Sequence, residues 1–186
     1  GTPSRGVPNA GLMLTPEGPK LVEYNLRFGD PECQVLMRRL KSDLLEILLA
    51  TVNGSLGQVT AEWSDDPAIT VVMATKGYPG DVEKGSEIRS VEAADAVEGV
   101  TVFQAGTKAD GETLRAWGGR VLNVTASGGT LKEARDRAYE AVDRMDEAFA
   151  AFRQGLDVAP EEPSLYVRHG HMLLRAGQRD ARAAGR

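Results

Sequence analysis

The sequence of 186 residues has a single cysteine, no long apolar run and fewer basic than acidic side chains. One thiol cannot form an internal disulfide or a thiolate metal cage, a composition typical of a reducing cytosol, so we expect a cytoplasmic protein. A membrane-spanning helix needs about 18 or more successive apolar residues, and their absence excludes one. No charged segment followed by an apolar segment opens the chain, so no secretion signal is predicted.

Charge and hydrophobicity are both typical of a globular protein. The 22 Lys and Arg residues and the 27 Asp and Glu residues leave a net charge of −5, whereas nucleic-acid binders are normally basic. Hydrophobic residues make up 41% of the chain, which is enough to bury a core. The length corresponds to one domain, or to one domain with an appendage. Neither a nucleic-acid partner nor a membrane partner is predicted.

The N-terminal segment has the pattern of a β-hairpin. Two short apolar runs, residues 10–14 and 20–25, are separated by a polar turn that contains Pro16, Gly18 and Pro19. Two runs of this length across a tight turn predict antiparallel strands. No methionine opens the sequence, and turn-forming residues precede the first run. We therefore expect the chain to start within a larger structure, with a disordered N-terminus as the alternative.

The residues after the hairpin combine helical and strand patterns. Helices are predicted over residues 30–52, and Thr130 with Glu133 forms a capping box that starts a further helix, predicted to reach about residue 157. Buried strands flanked by glycines are predicted at residues 68–74, 100–103 and 119–125. The predicted fold class is therefore α+β, with a mostly antiparallel sheet and flanking helices.

A proline-containing break separates the C-terminal residues from this body. Pro160 and Pro163 lack amide hydrogens, so we expect the long helix to stop near residue 157 and another to start near residue 163. The short turn between them predicts an antiparallel helical hairpin that packs on itself.

Side chains suited to chemistry are concentrated in residues 22–34, VEYNLRFGDPECQ. On a β-strand Glu23, Asn25 and Arg27 would project from one face, because successive side chains alternate. A carboxylate and an amide oxygen are suitable ligands for Mg²⁺, which binds one or two carboxylates together with substrate phosphates. An arginine beside them can stabilise charge on a transferring phosphoryl group. The alternative is that the three residues only form a solvated polar face.

The turn after this segment adds two more carboxylates, Asp30 and Glu32, together with a permissive glycine and a rigid proline before a helix. A helix N-terminus attracts anions because its first amide groups have no partners within the helix. The strand, its polar face, the turn and the helix start together predict an anion-binding corner. Asp30 can also serve as a helix cap, and we give that role the same weight as a binding role.

The octapeptide Arg27 to Gln34, RFGDPECQ, closely resembles the signature of the phosphoribosylamine–glycine ligase (glycinamide ribonucleotide synthetase) family, ATP-grasp enzymes of purine synthesis. Landmarks of the C-terminal domain of that family resemble residues 76–80 (KGYPG), 103–107 (FQAGT) and 118–122 (GGRVL). The resemblance extends from about residue 5 to residue 144.

The resemblance implies a reaction and a role for each residue of the corner. In this family ATP phosphorylates the carboxylate of glycine, and the amine of 5-phosphoribosylamine then displaces phosphate to give glycinamide ribonucleotide. By position, Glu23 and Asn25 are expected to bind Mg²⁺ or Mn²⁺ that bridges the phosphates of ATP. Arg27 is expected to be the catalytic residue that stabilises the acyl-phosphate transition state. Asp30 and Glu32 are expected to bind substrate or to form the corner.

The resemblance also implies the domain organisation. Residues 1–55 resemble the C-terminal end of an ATP-grasp domain, and residues 56–145 resemble the C-terminal domain of the ligase. The N-terminal domain of the family and most of its ATP-grasp domain have no counterpart. Residues 146–186 instead resemble tetratricopeptide-type helices, as a fusion, a frameshift or a truncated gene would produce. Trp117 stands where the family usually has a small or polar residue.

Two functions from different classes follow. The first is a fragment of the ligase, expected to be inactive alone because the missing N-terminal ligase domains complete its ATP site. The second is a non-catalytic interaction module that binds a protein partner through the helical tail. The missing domains should leave apolar surface uncovered around residues 10–14 and 35–49. Cys33 is expected to be inert, because the chemistry needs no thiolate.

Overall fold

The computed structural model describes residues 5–145, which fall into two compact units divided between Asp65 and Asp66. The strands are β1 (Asn9–Thr15), β2 (Gly18–Asn25), β3 (Ala68–Ala74), β4 (Glu87–Ile88), β5 (Val100–Gln104), β6 (Thr107–Asp110), β7 (Thr113–Ala116) and β8 (Arg120–Ser127). The helices are α1 (Glu32–Arg39), α2 (Leu44–Asn53), α3 (Val91–Asp95) and α4 (Leu131–Asp143), with a 3-10 turn at Leu56–Gln58. The strand pairs among these residues are antiparallel, so the α+β prediction is confirmed.

The predicted boundary between the first two domains differs from the division between the two compact units. The boundary predicted between residues 55 and 56 falls inside the first unit. Because compact units and evolutionary domains need not coincide, that boundary stays a prediction. The boundary at residue 145, and the helical hairpin predicted after it, concern residues outside the described part of the chain.

The first unit opens with the predicted hairpin. Strands β1 and β2 pair from Asn9 with Asn25 to Thr15 with Gly18, and the Thr15 hydroxyl donates to the Gly18 carbonyl at 2.8 Å. Gly18 has a φ of +108°, a conformation that side chains with a Cβ rarely adopt. The register shifts between Gly11 and Leu12, which places a bulge at Val22 on β2. The hairpin prediction is confirmed.

Two helices complete the first unit. The Asp43 carboxylate accepts from the Leu45 amide at 2.7 Å and so caps α2 at its N-terminus. Gly54, with a φ of +73°, ends α2 in the left-handed conformation that is typical of helix C-termini. The Ser64 amide donates to the Arg39 carbonyl at 2.7 Å, which ties the end of this unit to the end of α1.

Much of the apolar surface of the first unit is exposed. On the hairpin Leu14 is 72% exposed and Leu26, just after it, 82% exposed, and on α2 Leu45 is 61% exposed. Helix α1 has no buried residue at all. Uncovered apolar side chains of this size mark a surface that is stable only when another surface packs on it. The expected uncovered surface is therefore present at residues 10–14 and on α2, whereas residues 35–40 are half-buried.

The second unit has a well-packed core around the sheet β3–β8–β5, with β8 in the centre. Helix α4 packs on this sheet through Ala134, Ala138 and Ala141, each with 0% exposure. The alanines recur at helical spacing, and their small side chains let the helix lie close to the sheet. Leu122 and Val124 of β8 are fully buried under them.

The start of α4 agrees with the predicted capping box, with one change. The Thr130 hydroxyl accepts from the Glu133 amide at 3.1 Å, as predicted. The Glu133 carboxylate reaches back to the amide of Gly129, at 2.8 Å, one residue before the cap. The predicted continuation of this helix to residue 157 is wrong, because α4 ends at Asp143 with a turn closed by the Met145 amide on the Val142 carbonyl.

A second small sheet, β4–β7–β6, was not predicted from the sequence. Strands β6 and β7 form a hairpin around Gly111, which has a φ of +62°. The dipeptide Asp110-Gly111 is a strong hairpin signal, and it is the feature that identifies this element. The strands themselves alternate polar and apolar residues too briefly to stand out, since each spans only four residues.

We expect Leu122→Ala to destabilise the second unit by about 2–5 kcal/mol, because it leaves a cavity in a fully buried site. Denaturant unfolding followed by the fluorescence of Trp117, in a Trp63→Phe background, measures this change. The matched control is Leu131→Ala, which removes the same atoms from a side chain 48% exposed and should cost less than about 1 kcal/mol. Equal losses for the two variants would contradict the described core.

We also expect the 186-residue chain to bind a hydrophobic dye and to self-associate, because the first unit exposes several large apolar side chains. Dye fluorescence and sedimentation at several protein concentrations measure both effects. Replacing Leu14 and Leu45 together by Gln should weaken them. A monomeric chain that binds no dye would show that this surface is covered in solution.

Candidate functional site: the turn between strand β2 and helix α1

Glu23 and Asn25 lie side by side on one face near the end of β2. The amide nitrogen Nδ2 of Asn25 donates to Oε1 of Glu23 at 3.0 Å, so the two side chains meet as the strand alternation predicted. Glu23 pairs with Gly11 on β1, where a Cβ would lie only 3.1 Å from Cγ of Glu23. The glycine therefore leaves room for the glutamate side chain, which is exposed to solvent.

Arg27 does not continue the face of the strand. Strand β2 ends at Asn25, and Arg27 lies in the bend that leads to α1. Its Nη1 donates to the carbonyl of Phe28 at 2.7 Å, so the guanidinium is held over its own turn. The sequence predicted that Arg27 would project from the same strand face as Glu23 and Asn25. This prediction is wrong for Arg27, because the chain must turn before the helix begins. The guanidinium is nevertheless exposed and within the same turn.

Gly29 is the buried centre of the turn, and Glu32 folds back over it. A Cβ at Gly29 would lie 2.9 Å from Cδ of Glu32 and 2.8 Å from Nδ2 of Asn9. The space above Gly29 is thus shared by a carboxylate from α1 and an amide from β1. The amide of Cys33 donates to the Gly29 carbonyl at 2.9 Å, which begins the hydrogen-bond pattern of the helix.

Asn9 is a corner residue that the sequence analysis missed. It pairs with Asn25 across the hairpin, and its side chain reaches the space above Gly29. The sequence feature that could have identified Asn9 is the pairing register of the hairpin. Once residues 15 and 18 are placed at the turn, the residue opposite Asn25 follows from counting along β1. The bulge at Val22 shifts that count by one residue, so the sequence alone is insufficient.

Asp30 interacts with the first turn of α1. Its Oδ1 accepts from Nε2 of Gln34 at 3.0 Å, and the N-cap residue of α1 is Pro31, which makes no side-chain capping bond. The Oε1 atom of Gln34 is buried and accepts no hydrogen bond from residues 5–145. Asp30 therefore helps to hold the side chain of Gln34, and the N-cap position lies one residue later than the sequence predicted.

Cys33 has the environment of a packing residue. Burial, and to a smaller extent the negative charge of Asp30, raises the pKa of its thiol above the ordinary value. A raised pKa keeps the thiol protonated and unreactive near neutral pH. This agrees with the expectation that Cys33 takes no part in the chemistry.

The corner provides two donors for a metal ion. Among residues 5–145 no group of three or more His, Cys, Asp or Glu side chains could hold a metal. Glu23 and Asn25 are a carboxylate and an amide, hard donors of the kind that Mg²⁺ and Mn²⁺ accept. Two protein donors fit an ion whose remaining ligands are phosphate oxygens and water. The amide of Asn25 must turn to present Oδ1, because Nδ2 now faces Glu23.

In the second unit the three segments with family-like motifs lie together. The Thr75 amide donates to the Gly119 carbonyl at 2.8 Å, and the Gly106 amide donates to the Arg120 carbonyl at 2.9 Å. A Cβ at Gly106 would lie 2.7 Å from Cα of Gly118, so backbones approach each other where only glycine fits. The loops containing KGYPG, FQAGT and GGRVL thus form one end of the unit.

Comparison with known families identifies both parts of the chain. Residues 1–33 match the family described as phosphoribosylglycinamide synthetase, ATP-grasp (A) domain, and residues 68–159 match phosphoribosylglycinamide synthetase, C domain. The two ranges together cover about two thirds of the chain. The second match reaches beyond residue 145, where the tail was predicted to begin.

Individual relatives agree with these matches. The chain is 62% identical over 146 residues to a phosphoribosylamine–glycine ligase of Mesorhizobium japonicum, covering 78% of this chain and 34% of the relative. It is 55% identical over 146 residues to that of Brucella melitensis, with the same coverage. The crystal structure of the Thermotoga maritima ligase superposes with a TM-score of 0.61 at 34% identity, covering 74% of this chain and 33% of that one.

A segment that matches an ATP-grasp domain is thus followed by an α+β unit that matches a C domain, which defines the class as an ATP-grasp protein. Over the matched ranges the chain belongs to the phosphoribosylamine–glycine ligase family. It spans about a third of the length of the curated relatives that it matches. The likeness of residues 146–186 to a tetratricopeptide repeat is not supported by these comparisons. In residues 5–145 no helix is long and apolar enough to cross a membrane.

We expect Gly29→Ala to displace the side chains of Glu32 and Asn9 while costing little stability. Both contacts of the added methyl group are with the ends of flexible side chains, so the loss of unfolding free energy should stay below about 1–2 kcal/mol. Amide NMR shifts of residues 9, 30 and 32–34 in the chain should change, whereas Gly57→Ala, which adds its methyl to open space, should leave them unchanged. Unchanged shifts in the Gly29 variant would contradict the described corner.

Proposed function

We propose that the protein to which this chain belongs joins glycine to 5-phosphoribosylamine at the expense of ATP, giving glycinamide ribonucleotide in purine biosynthesis. The observation that carries the proposal is the corner formed by Glu23, Asn25, Arg27 and Glu32 in a segment that matches the ATP-grasp domain of this family. ATP, glycine and 5-phosphoribosylamine are the proposed substrates, and the cytoplasm is the proposed location.

Glu23 and Asn25 are proposed to hold Mg²⁺ or Mn²⁺. A divalent ion bound there would neutralise charge on the phosphates of ATP as the terminal phosphoryl group is transferred. Glu23 is exposed and therefore open to a ligand that carries phosphate. Its hydrogen bond with Asn25 keeps the two donors together before any ligand arrives, which reduces the entropy lost on binding.

Arg27 is proposed as the catalytic residue. The terminal phosphoryl group of ATP is transferred to a carboxylate oxygen of glycine, which breaks the bond to ADP and forms an acyl phosphate. The amine nitrogen then attacks the acyl carbon, loses a proton, and inorganic phosphate leaves. Both steps place negative charge on phosphoryl oxygens, and the exposed guanidinium of Arg27 can donate to them. Its bond to the Phe28 carbonyl holds it in place and uses one nitrogen, so the other donors remain for substrate.

Asp30 and Glu32 are proposed to position the substrate side of the corner. The Glu32 carboxylate lies over Gly29 near the amide of Asn9, where it can accept a hydrogen bond from a cationic or amine group. Asp30 acts on the same turn through Gln34. We expect no turnover by the 186-residue chain alone, because the corner supplies two metal donors and one arginine, and its relatives are much longer. A protein partner bound through residues 146–186 is not favoured by any observation.

The test of the proposed function is Glu23→Gln in a full-length ligase that carries this segment. Removing the carboxylate charge should lower ligation by about 10²-fold or more, because the donor with a formal charge is lost, and should raise the Mg²⁺ concentration needed for half-maximal rate. Ligation is measured by coupled release of ADP with glycine and 5-phosphoribosylamine present.

The matched control is Glu17→Gln, which removes the same charge from the turn of the same hairpin, where the Glu17 carboxylate pairs with the exposed Lys20 at 2.6 Å. This variant should keep the ligation rate within about twofold of the unchanged enzyme, since exposed ion pairs contribute little. If Glu23→Gln keeps its rate and its Mg²⁺ dependence, the metal assignment is wrong. If the unchanged full-length enzyme releases no ADP with these substrates, the proposed reaction is wrong.

A further inference from the structure

In the second unit the side chains of two lysines lie near the indole ring of Trp117. The residue directly follows β7 and is 43% exposed. Nζ of Lys108 lies 4.1 Å from the centroid of the indole ring and Nζ of Lys84 lies 6.0 Å from it. Neither lysine has a carboxylate partner among residues 5–145. Two ammonium groups from different segments thus share one aromatic side chain.

Backbone hydrogen bonds bring these segments together. The Gly85 amide donates to the Ala116 carbonyl at 2.8 Å, and Nη1 of Arg115 donates to the Gly85 carbonyl at 3.0 Å. Lys84 is therefore held beside the end of β7. Lys108 is placed by the ladder of β6 and β7, in which it pairs directly with Arg115. The Trp117 amide donates to the Gly106 carbonyl at 2.8 Å, so the main chain of Trp117 is also held in place.

The acidic side chains near these lysines are engaged with other cations. Glu83 is engaged with Lys76 at 2.9 Å, and Asp110 is engaged with Arg115 at 2.7 Å. Arg115 lies opposite Lys108 on one side and Glu87 on the other, and its ion pair with Asp110 balances its charge. An exposed cation–π contact contributes only about 0.5–1 kcal/mol and neutralises no charge. A bound anion would supply the charge partner that the described residues do not give to Lys84 and Lys108.

We propose that Lys84 and Lys108, held at Trp117, bind the phosphate group of a small phosphate ester. A phosphate dianion matches two ammonium groups in charge and accepts hydrogen bonds from both. The acids Glu83 and Asp110 lie close to Lys84 and Lys108 in the sequence and would repel an extended polyanion. A compact anion therefore fits better. The exposed part of the indole offers a surface against which the organic part of the ester can pack.

This site does not depend on the proposed ligase reaction. Its residues lie in the second unit, whereas Glu23, Asn25 and Arg27 belong to the first. Inorganic phosphate and a sugar phosphate share the chemistry that the lysines recognise. The difference between the two lies in the organic group, for which the indole is the nearest apolar surface.

The test is a titration of the 186-residue chain carrying Trp63→Phe, so that Trp117 is its only tryptophan. Inorganic phosphate and ribose 5-phosphate are added at constant ionic strength, with potassium chloride as the blank, and indole fluorescence is recorded. Isothermal calorimetry repeats each titration without relying on fluorescence. We expect saturable binding of ribose 5-phosphate, weakened at least ~10-fold by the double variant Lys84→Gln/Lys108→Gln.

The control is Lys41→Gln/Lys132→Gln, which removes the same charge from two exposed lysines that make no ring contact with Trp117 and should bind as the unchanged chain does. Saturation by both ligands supports the proposal with phosphate as the recognised group, and saturation by ribose 5-phosphate alone supports it with the sugar included. Saturation by neither ligand in both measurements overturns it. Equal weakening in the two double variants also overturns it, because binding would then follow net charge only. Thermal unfolding of each variant checks that the fold is retained.

Discussion

The buried glycine between β2 and α1 is the constraint on which the candidate site depends. Gly29 lets the chain leave the hairpin and enter the helix while the Glu32 side chain occupies the space where a Cβ would stand. The same turn bends Arg27 out of the strand and brings Asn9 into the corner. A side chain at this position would force Glu32 and Asn9 apart, so the composition of the corner follows from the backbone of one residue.

The two units obtain their stability in different ways. The second unit buries a sheet under a helix with an alanine face, and close backbone contacts at Gly106 and Gly118 hold its loops together. The first unit has two strands, two helices and, among its described residues, only Gly29 and Ala50 buried. A two-stranded hairpin is at best marginally stable in water without further packing. The candidate site therefore belongs to the unit that has less internal packing. Its function is proposed for the longer protein.

The sequence predicted the parts of the fold that repeat over many residues. The continuous apolar run of β3 and the alanine spacing of α4 each extend over seven residues or more, and both were found where expected. Strands β6 and β7 were missed because each spans four residues and only Asp110-Gly111 marks their turn. The end of α4 at Asp143 was predicted too late, because the apolar residues after it keep a helical spacing in the sequence, and this spacing does not mark the end of the helix.

Within the site, the sequence predicted neighbours along one strand and failed across the turn. The contact of Glu23 with Asn25 follows from a period of two. The position of Arg27 depends on where β2 ends, and the contribution of Asn9 depends on a register that contains a bulge. Asn123 shows the same limit: it is fully buried in β8, and neither of its side-chain polar atoms has a hydrogen-bond partner among residues 5–145. A pattern of residue types cannot show which polar groups find partners.

The most direct measurement follows oxygen from glycine. A full-length ligase that carries this segment is supplied with ATP, 5-phosphoribosylamine and glycine labelled with oxygen-18 in its carboxylate, and the products are analysed by mass spectrometry. If the glycine carboxylate is phosphorylated and then attacked by the amine, one labelled oxygen must appear in the inorganic phosphate, with ADP as the other product. Unlabelled phosphate, or AMP and pyrophosphate in place of ADP and phosphate, would contradict the account.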